Sequence, residues 1–218
     1  MKISFIIPSL NRPKQLAMSI LALKESTKHH DVEIIPILDD NDYRSRHTLG
    51  NLDIPFLTYP NPIDPVTKWN FGAQKSQGDW IFHCSDDHNW SNVDDWLKKT
   101  IETKDHKGWI GIQDQFRTNK WFCPFFLASR DWLRRNQGAV FVVPHYKHWG
   151  IDCEIALRAI RTNTYIVNPD VRFHHSHPCF GYPTDETYRV AEPKYKIDMD
   201  LFYQRRANGF PDDFVGYL

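Results

Sequence analysis

The sequence has little of what defines several large protein classes. Its 218 residues contain only four cysteines, which are widely spaced and never form a C-x-x-C pair. This spacing argues against a structural zinc site and against a disulfide framework. No hydrophobic run approaches the roughly 18 residues that a membrane-spanning helix requires. We therefore expect a globular protein without an integral membrane segment, located in the cytoplasm.

The sequence also has no excess of charge of either sign. Lys and Arg together number 27, as do Asp and Glu, so the formal net charge is zero. A general electrostatic attraction to nucleic acid or to an anionic membrane is not expected. The first residues begin like a signal peptide, but Pro8, Asn11 and Arg12 make the apolar region too short for one.

The first half of the chain alternates the patterns of strands and helices. Helices are predicted to begin at Pro13, to pass through Trp69 and Ala73, and to cover residues 93–101. The predicted strands are residues 3–7, 32–38, 54–58, 79–84 and 109–112. This alternation is typical of βαβ units, and it predicts an α/β domain with a mainly parallel central sheet flanked by helices.

The second half is less regular. It contains an aromatic run at 121–126, a strand-like segment at 139–143, a helix at 152–161 and a strand at either 165–167 or 171–173. The last residues carry many charges and few periodic apolar positions. We therefore predict one domain over residues 1–183 and an irregular C-terminal extension, residues 184–218, that packs on the domain or covers it as a lid.

Polar residues directly follow three of the predicted strands. They are PSLNR at 8–12, DDND at 39–42 and SDDH at 85–88. In an open parallel sheet these strand ends lie along one edge, which is where such sheets bind ligands. Paired carboxylates there suit Mg²⁺ or Mn²⁺ held partly by substrate phosphates. Each acidic cluster taken alone is equally compatible with an ordinary turn or helix cap.

Six segments, taken in order, carry a family resemblance. They are ISFIIPSLNRP at 3–13, LDDND at 38–42, WNFGA at 69–73, GDWIFHCSDD at 78–87, WGIDCEIALR at 149–158 and VRFHHSHP at 171–178. The set resembles the nucleotide-sugar glycosyltransferases of the GT-A fold, close to family 2. This resemblance implies a single GT-A domain. It also implies a hexosyltransferase that moves a sugar from a nucleoside-diphosphate sugar, with UDP favoured, to an acceptor hydroxyl with inversion, using Mn²⁺ or Mg²⁺.

The resemblance also implies residue roles. Asp87 would be the main metal ligand and His174 a further one, with His177 as the competing candidate. Asp152 would be the catalytic base, with Glu154 as the alternative. The predicted substrate-binding residues are Pro8, Ser9, Arg12, Asp39, Asn70, Asp86, Trp149 and Glu154. Among them, Asp39 would contact the nucleoside. Arg12 is close enough in the sequence to reach a phosphate and is equally compatible with a surface arginine near a helix start. Trp149 is the candidate for stacking on the acceptor.

Two positions depart from the family pattern. Ser85 stands where the first acid of the Asp-x-Asp metal motif is usual, and Ile151 stands where an acid often precedes the base. The serine suggests an alternative, a catalytically silent nucleotide- or sugar-binding module. A nucleotidyltransferase of related fold is a second alternative, although residues 9–13 lack the glycine of a typical phosphate loop.

A third alternative is a metallohydrolase built on histidines. Its ligands would be His145, His148, His174 and His177. Spacing alone favours a solvated surface turn for the histidines near 174, because metal ligands must converge in space. For a transferase, the acceptor stays open among a glycan, a lipid-linked sugar, a protein side chain and a modified nucleobase of DNA.

Overall fold

The structure, a computed structural model, describes residues 1–60, 64–90, 94–115 and 121–218, except for the side chain of Asn89. The strands in these ranges are β1 (Ile3–Pro8), β2 (Val32–Asp39), β3 (Leu57–Tyr59), β4 (Trp80–His83), β5 (His88–Asn89), β6 (Trp109–Asp114), β7 (Phe125–Ser129) and β8 (Val167–His175). The α-helices are α1 (Pro13–Ser26), α2 (Tyr43–Asn51), α3 (Pro65–Lys75), α4 (Trp96–Ile101), α5 (Arg130–Asn136), α6 (Ile151–Arg161), α7 (Glu186–Ala191) and α8 (Tyr195–Ala207). Short 3₁₀ turns occupy Pro178–Phe180 and Glu192–Lys194.

The strands form one mixed sheet in the order β3-β2-β1-β4-β7-β6-β8-β5. Strands β3, β2, β1 and β4 pair in parallel. Strand β7 is antiparallel to both of its neighbours, β4 and β6. Strands β6 and β8 pair in parallel, and β5 is antiparallel to β8. All strands except β7 and β5 therefore run in one direction, which confirms the predicted α/β architecture with a mainly parallel sheet.

Both faces of this sheet are buried. Successive residues of β1 point to opposite faces, so that Phe5 belongs to one hydrophobic cluster and Ile6 to the other. Helix α1 packs in the cluster of Phe5, and α3 packs in the cluster of Ile6. Gly72 lets α3 approach closely, since a Cβ atom there would lie 2.5 Å from side-chain atoms of both Ile6 and Ile37. This approach carries the first turn of α3 to the ends of β1 and β2.

The prediction of a strand at 139–143 is wrong. This buried segment forms turns, with positive φ angles of 62° at Gly138 and 57° at Ala139. The Asn70 side chain accepts from the Val142 N–H at 3.0 Å and donates to its carbonyl at 2.9 Å. The Asn70 side chain thus satisfies backbone groups that a neighbouring strand would otherwise bond. The segment is apolar because it is buried, and this apolar run resembles a strand although it pairs with none of the described strands.

The other differences concern boundaries. A single strand, β8, spans both of the late strands that were considered as alternatives. The C-terminal extension is more regular than expected, because it contains α7 and α8. The predicted start of the fourth helix at Val93 lies outside the described residues, and α4 begins at Trp96. None of the helices formed by the described residues is long and apolar enough to cross a membrane.

Candidate functional site

A cavity, called here the central cavity, lies at the carboxyl ends of β1 and β4. Ser9 follows β1, and the acid pair, Asp86 and Asp87, follows β4; all three line the cavity. Trp149 and Asp152, at the start of α6, also contribute to its lining. The topology thus brings the polar ends of the parallel strands to the same space as the start of α6, as expected for the carboxyl edge of an open α/β sheet.

Asp86 forms the deeper part of the acid pair and is 3% exposed. It accepts a hydrogen bond from the Ser9 hydroxyl at 2.6 Å and one from Arg12 at 2.7 Å. Burial raises the pKa of Asp86 above its usual value, and the positive charge of Arg12 opposes that shift. Ser9 and Arg12, both predicted from the sequence, therefore lie beside the acid pair.

Asp87 has a different set of neighbours on each carboxylate oxygen. Its Oδ1 lies 3.6 Å from His88 Nε2 and 3.5 Å from His175 Nε2, and it accepts from the Ser85 hydroxyl. Its Oδ2 accepts a hydrogen bond from the Tyr188 hydroxyl at 2.5 Å. Burial acts to raise the pKa of Asp87, but His175, His88 and Arg12 overcome it, and the pKa falls well below the usual range.

Asp87, His88 and His175 form a possible metal site. Their ligand atoms all lie within 4.8 Å of one another, and all three residues are buried. The other ring nitrogen of His175, Nδ1, is 3.6 Å from Asp114. Burial lowers the pKa of His175, yet the nearby carboxylates of Asp114 and Asp87 raise it to about 9. One carboxylate with two imidazoles is a donor set for a divalent transition-metal ion, and a carboxylate behind a histidine is the usual outer support of a metal ligand.

His174 lies away from this group. Because side chains alternate along β8, His174 and His175 point to opposite faces of the strand. His174 Nδ1 is 3.0 Å from the side chain of Gln115, and its Nε2 contacts the Tyr182 hydroxyl. The structure therefore brings His175 to Asp87 and does not bring His174 there. His177 lines the central cavity, with its ring centroid 5.1 Å from that of His175.

Arg12 forms hydrogen bonds with two carboxylates of its own chain, those of Asp86 and Asp185. Its Nε and Nη2 donate to Asp185 at 2.6 and 2.9 Å, while Nη1 donates to Asp86. The guanidinium carbon lies 4.8 Å from the centroid of the Tyr188 ring. Burial opposes its positive charge, but the carboxylates raise the pKa of Arg12 above its usual value. Arg12 thus supports the acid pair from the predicted strand end.

Asp39 and Lys68 form a buried ion pair at the adjacent strand end. Lys68 Nζ lies 2.8 Å from Asp39 Oδ1 and donates to the carbonyl of Ser9 at 3.0 Å. Both residues are 2% exposed, and Lys68 lines the central cavity together with Pro8. A lysine beside Asp39 gives this edge a hydrogen-bond donor as well as an acceptor.

The two acids of α6 face different surroundings. Asp152 is half-buried, lines the central cavity and accepts from the N–H of Cys153 at 2.8 Å. Glu154 is fully buried and is bonded to Tyr146, Arg158 and Arg205 at distances between 2.7 and 3.1 Å. The structure therefore brings Asp152, and not Glu154, to the cavity.

Trp149 and Asn70 also differ in placement. Trp149 lines the cavity, and its indole N–H donates to the carbonyl of Ala191 at 3.0 Å. Asn70 instead bonds the backbone of Val142 and the hydroxyl of Tyr217. Of these two predicted substrate-binding residues, the structure brings only Trp149 to the cavity.

The histidines considered for a metallohydrolase do not converge. His145 is exposed and pairs with Asp213 at 3.1 Å, while His174 is held by Gln115 and Tyr182. His148 and His177 line the cavity. Over residues 1–60, 64–90, 94–115 and 121–218, the group with ligand atoms close enough for one metal ion is the one around Asp87.

Several residues at the cavity were missed by sequence reasoning. His88 and His175 stand beside residues that were named, and the alternation along β8 was the available signal for His175. Lys68 precedes the WNFGA segment by one residue and has no motif of its own. Tyr188 and Asp185 come from the C-terminal extension, where no local pattern indicates a contact with residues 87 and 12.

Comparison with known proteins gives both a family and a fold. The family described as Glycosyl transferase family 2 matches residues 4–171, which is well over half of the chain. A search of curated proteins finds no match.

Solved structures give the same fold. The mannosyltransferase PcManGT from Pyrobaculum calidifontis, in complex with GDP-Man and Mn²⁺, superposes with a TM-score of 0.67 at 14% identity, over 83% of this chain and 58% of its own. S. aureus TarS 1-349 gives 0.59 at 15% identity, over 80% and 60%. Glucosyl-3-phosphoglycerate synthase from Mycobacterium tuberculosis, in complex with Mn²⁺, UDP-Glc and phosphoglyceric acid, gives 0.65 at 11% identity, over 97% and 81%. The chain thus spans somewhat under two thirds of the first two structures, and at these identities the likeness is one of fold.

Proposed function

Because the chain belongs to glycosyl transferase family 2, we propose that it transfers a sugar from a nucleoside-diphosphate sugar to an acceptor hydroxyl with inversion. One observation carries this proposal: the acid pair and Asp152 line the same cavity at the carboxyl edge of the sheet. Transfer of a sugar requires one group of residues for the leaving diphosphate and a separate base for the attacking hydroxyl.

The leaving diphosphate develops negative charge, which the site must offset. Asp87, His88 and His175 are the residues that would hold a divalent cation, Mn²⁺ or Mg²⁺, and a bound cation supplies that positive charge. Of these two ions, Mn²⁺ accepts imidazole ligands more readily than Mg²⁺, which prefers oxygen ligands. Arg12 and Ser9 keep Asp86 oriented beside it through bonds of 2.7 and 2.6 Å.

Asp152 is the proposed base. Its half-buried carboxylate removes the proton of the acceptor hydroxyl as that oxygen attacks the anomeric carbon from the side opposite the diphosphate, and a single displacement of this kind inverts the configuration. Trp149, which also lines the cavity, would offer an aromatic face to the acceptor. The buried bonds of Glu154 support Asp152 over Glu154 for this role.

We propose that the nucleotide of the donor is UDP. Asp39 and Lys68 would form hydrogen bonds with the nucleoside, with Pro8 and Ser9 at the floor of the site. A structural neighbour that covers nearly all of this chain holds UDP-Glc, whereas another holds GDP-Man. A panel must therefore contain both nucleotides.

Thermal melting with UDP, GDP, UDP-Glc and GDP-Man, with and without Mn²⁺, tests the donor site. A ligand at about 100 times its dissociation constant should add roughly 2.7 kcal/mol to the free energy of unfolding. We expect a rise in melting temperature that requires Mn²⁺ and disappears in Asp87→Asn. The matched control is Asp131→Asn, which removes an exposed carboxylate that pairs with Arg135 on α5 and should retain the rise.

The silent binding module makes a different prediction for the same samples. A transferase hydrolyses its donor sugar slowly when no acceptor is present, so the parent protein should release free sugar and Asp152→Asn should not. Binding without any release would favour the silent module. A panel in which no nucleotide changes the melting temperature, with Mn²⁺ present, would contradict the transferase proposal.

A further inference from the structure

Helix α7, in the C-terminal extension, lies over the acid pair. The carboxylate of Asp185, just before the helix, bonds Arg12 at 2.6 and 2.9 Å. The hydroxyl of Thr187 donates to the carbonyl of Leu10 at 3.0 Å. Tyr188, one residue further, donates to Asp87 Oδ2 at 2.5 Å. These residues lie beyond residue 171, where the family match ends.

We propose that Tyr188 is a positioning residue of the metal site, whose hydroxyl holds Oδ2 of Asp87 so that Oδ1 faces His88 and His175. The proposal rests on the function proposed above, because it assigns a role toward the same divalent cation. Tyr188 acts through Asp87 and would not itself bind the metal.

The division of the two oxygens supports this role. Oδ1 is the atom that lies 3.6 Å from His88 Nε2 and 3.5 Å from His175 Nε2. Oδ2 takes the short bond from Tyr188 and lies 3.7 Å from Arg12 Nη1. A carboxylate held in this way on one oxygen cannot rotate freely, so it offers the other oxygen to a cation in a fixed direction.

Tyr188 is itself held in place. Its ring packs against the guanidinium of Arg12, with 4.8 Å between the guanidinium carbon and the ring centroid. On another side, its centroid lies 4.9 Å from that of His177. Its backbone N–H donates to Asp185 at 3.3 Å. The hydroxyl therefore has a fixed position from which to orient Asp87.

Tyr188→Phe tests the role because it removes the hydroxyl and keeps the ring against Arg12. Mn²⁺ binding to the 218-residue chain without nucleotide is measured by calorimetry and by the electron paramagnetic resonance signal of free Mn²⁺. Loss of an outer partner of a metal ligand typically weakens metal binding about 10- to 100-fold. We expect the dissociation constant for Mn²⁺ to rise at least about tenfold.

Tyr182→Phe is the matched control. It makes the same substitution in the same stretch of chain, but its hydroxyl contacts His174, on the other face of β8. We expect Tyr182→Phe to bind Mn²⁺ like the parent. Melting temperatures of both variants show whether each remains folded.

The outcomes separate the two proposals. If the parent binds Mn²⁺ and Tyr188→Phe binds it equally well or more tightly, the role of Tyr188 is overturned while the proposed function stands. Equal weakening in both variants overturns it as well, because the effect would not be specific to the hydroxyl on Asp87. A parent that binds no Mn²⁺ overturns both the metal site and the role of Tyr188, and the nucleotide panel then decides the proposed function.

Discussion

His83 shows how one buried residue makes stability depend on pH. Its ring lies between Trp69 and Phe126, with centroid distances of 4.2 and 4.8 Å, and its Nδ1 is 3.2 Å from the carbonyl of Pro124. Burial lowers the pKa of His83 to about 3. The folded protein therefore keeps this imidazole neutral at a pH where the unfolded chain has already protonated it.

Stability should consequently fall as the pH decreases from 6.5 toward 3. Above pH 6.5 both states are neutral at this residue; below it only the unfolded state binds the proton, which favours unfolding. For one such group the loss between pH 7.5 and pH 5 is about 2 kcal/mol. In His83→Phe, urea unfolding at these two pH values should show a decrease smaller by about that amount. Equal decreases in the parent and the variant would contradict a low pKa for His83.

Sequence reasoning located the residues that directly follow a strand. Pro8, Ser9, Asp86 and Asp87 line the central cavity because they continue buried strands past the sheet edge. The sequence analysis named His174 and His177 and missed His175, because the short predicted strand did not define the register of β8. The contact between Asp87 and Tyr188 joins residues 101 positions apart. Such a contact follows from the packing of the whole chain and leaves no local signal.

At the scale of elements, α6 connects the cavity to the C-terminal extension. One of its acids, Asp152, lines the cavity, while Glu154 bonds Arg158 in the same helix and Arg205 in α8. The two arginines also reach Asp212 and Asp213 at 2.7 Å. Helix α6 is therefore fixed against α8 by the buried charges of Glu154, Arg158 and Arg205.

Removing the charge of Glu154 should lower stability, whereas removing the charge of Asp152 should abolish activity. Glu154→Gln leaves two buried arginines without their shared carboxylate, and breaking a buried pair typically costs 3–5 kcal/mol. We expect about 3 kcal/mol in urea unfolding, because Asp212 and Asp213 still contact the arginines. Asp152→Asn should change stability by less than about 1 kcal/mol and abolish transfer.

The converse result would reverse the assignment of the two acids. If Glu154→Gln unfolds like the parent and loses transfer, while Asp152→Asn retains transfer, Glu154 is the base. Measuring unfolding and donor hydrolysis on the same preparations makes the comparison direct.

Prediction of elements succeeded where periodicity and boundaries were clear. Strands β1, β2 and β4 and helices α1 and α6 were all expected from apolar runs or helical spacing. Strand β7 and helix α5 were missed because Ser129 both ends the strand and caps the helix through the N–H of Trp132, so no turn residue separates them. Helix α8 exposes Ile197 and Tyr203, which weakens its helical pattern.

At the scale of the molecule, the C-terminal extension completes the packing of the preceding residues. Asp198 of α8 accepts hydrogen bonds from three successive backbone N–H groups, those of residues 147–149, at 2.8 to 3.0 Å. The hydroxyl of Tyr217 accepts from the N–H of Phe141 at 3.1 Å. Phe202 and Phe210 join the hydrophobic cluster that also contains Ile151. These contacts indicate that residues 184–218 contribute to the core as well as to the site.

A chain ending at residue 183 should therefore lack a cooperative fold. It would expose the apolar surface under Phe202 and leave Glu154 and Arg158 without Arg205. Each buried charge that loses its partner costs several kcal/mol, and the total stability of a protein is only about 5–15 kcal/mol. Circular dichroism should show no sharp thermal transition for residues 1–183. Co-expression with residues 184–218 as a separate chain should restore one if the contacts, and not the covalent connection, are what matters. A sharp transition within a few degrees of the full chain would instead mean that the extension is an addition to an independently stable domain.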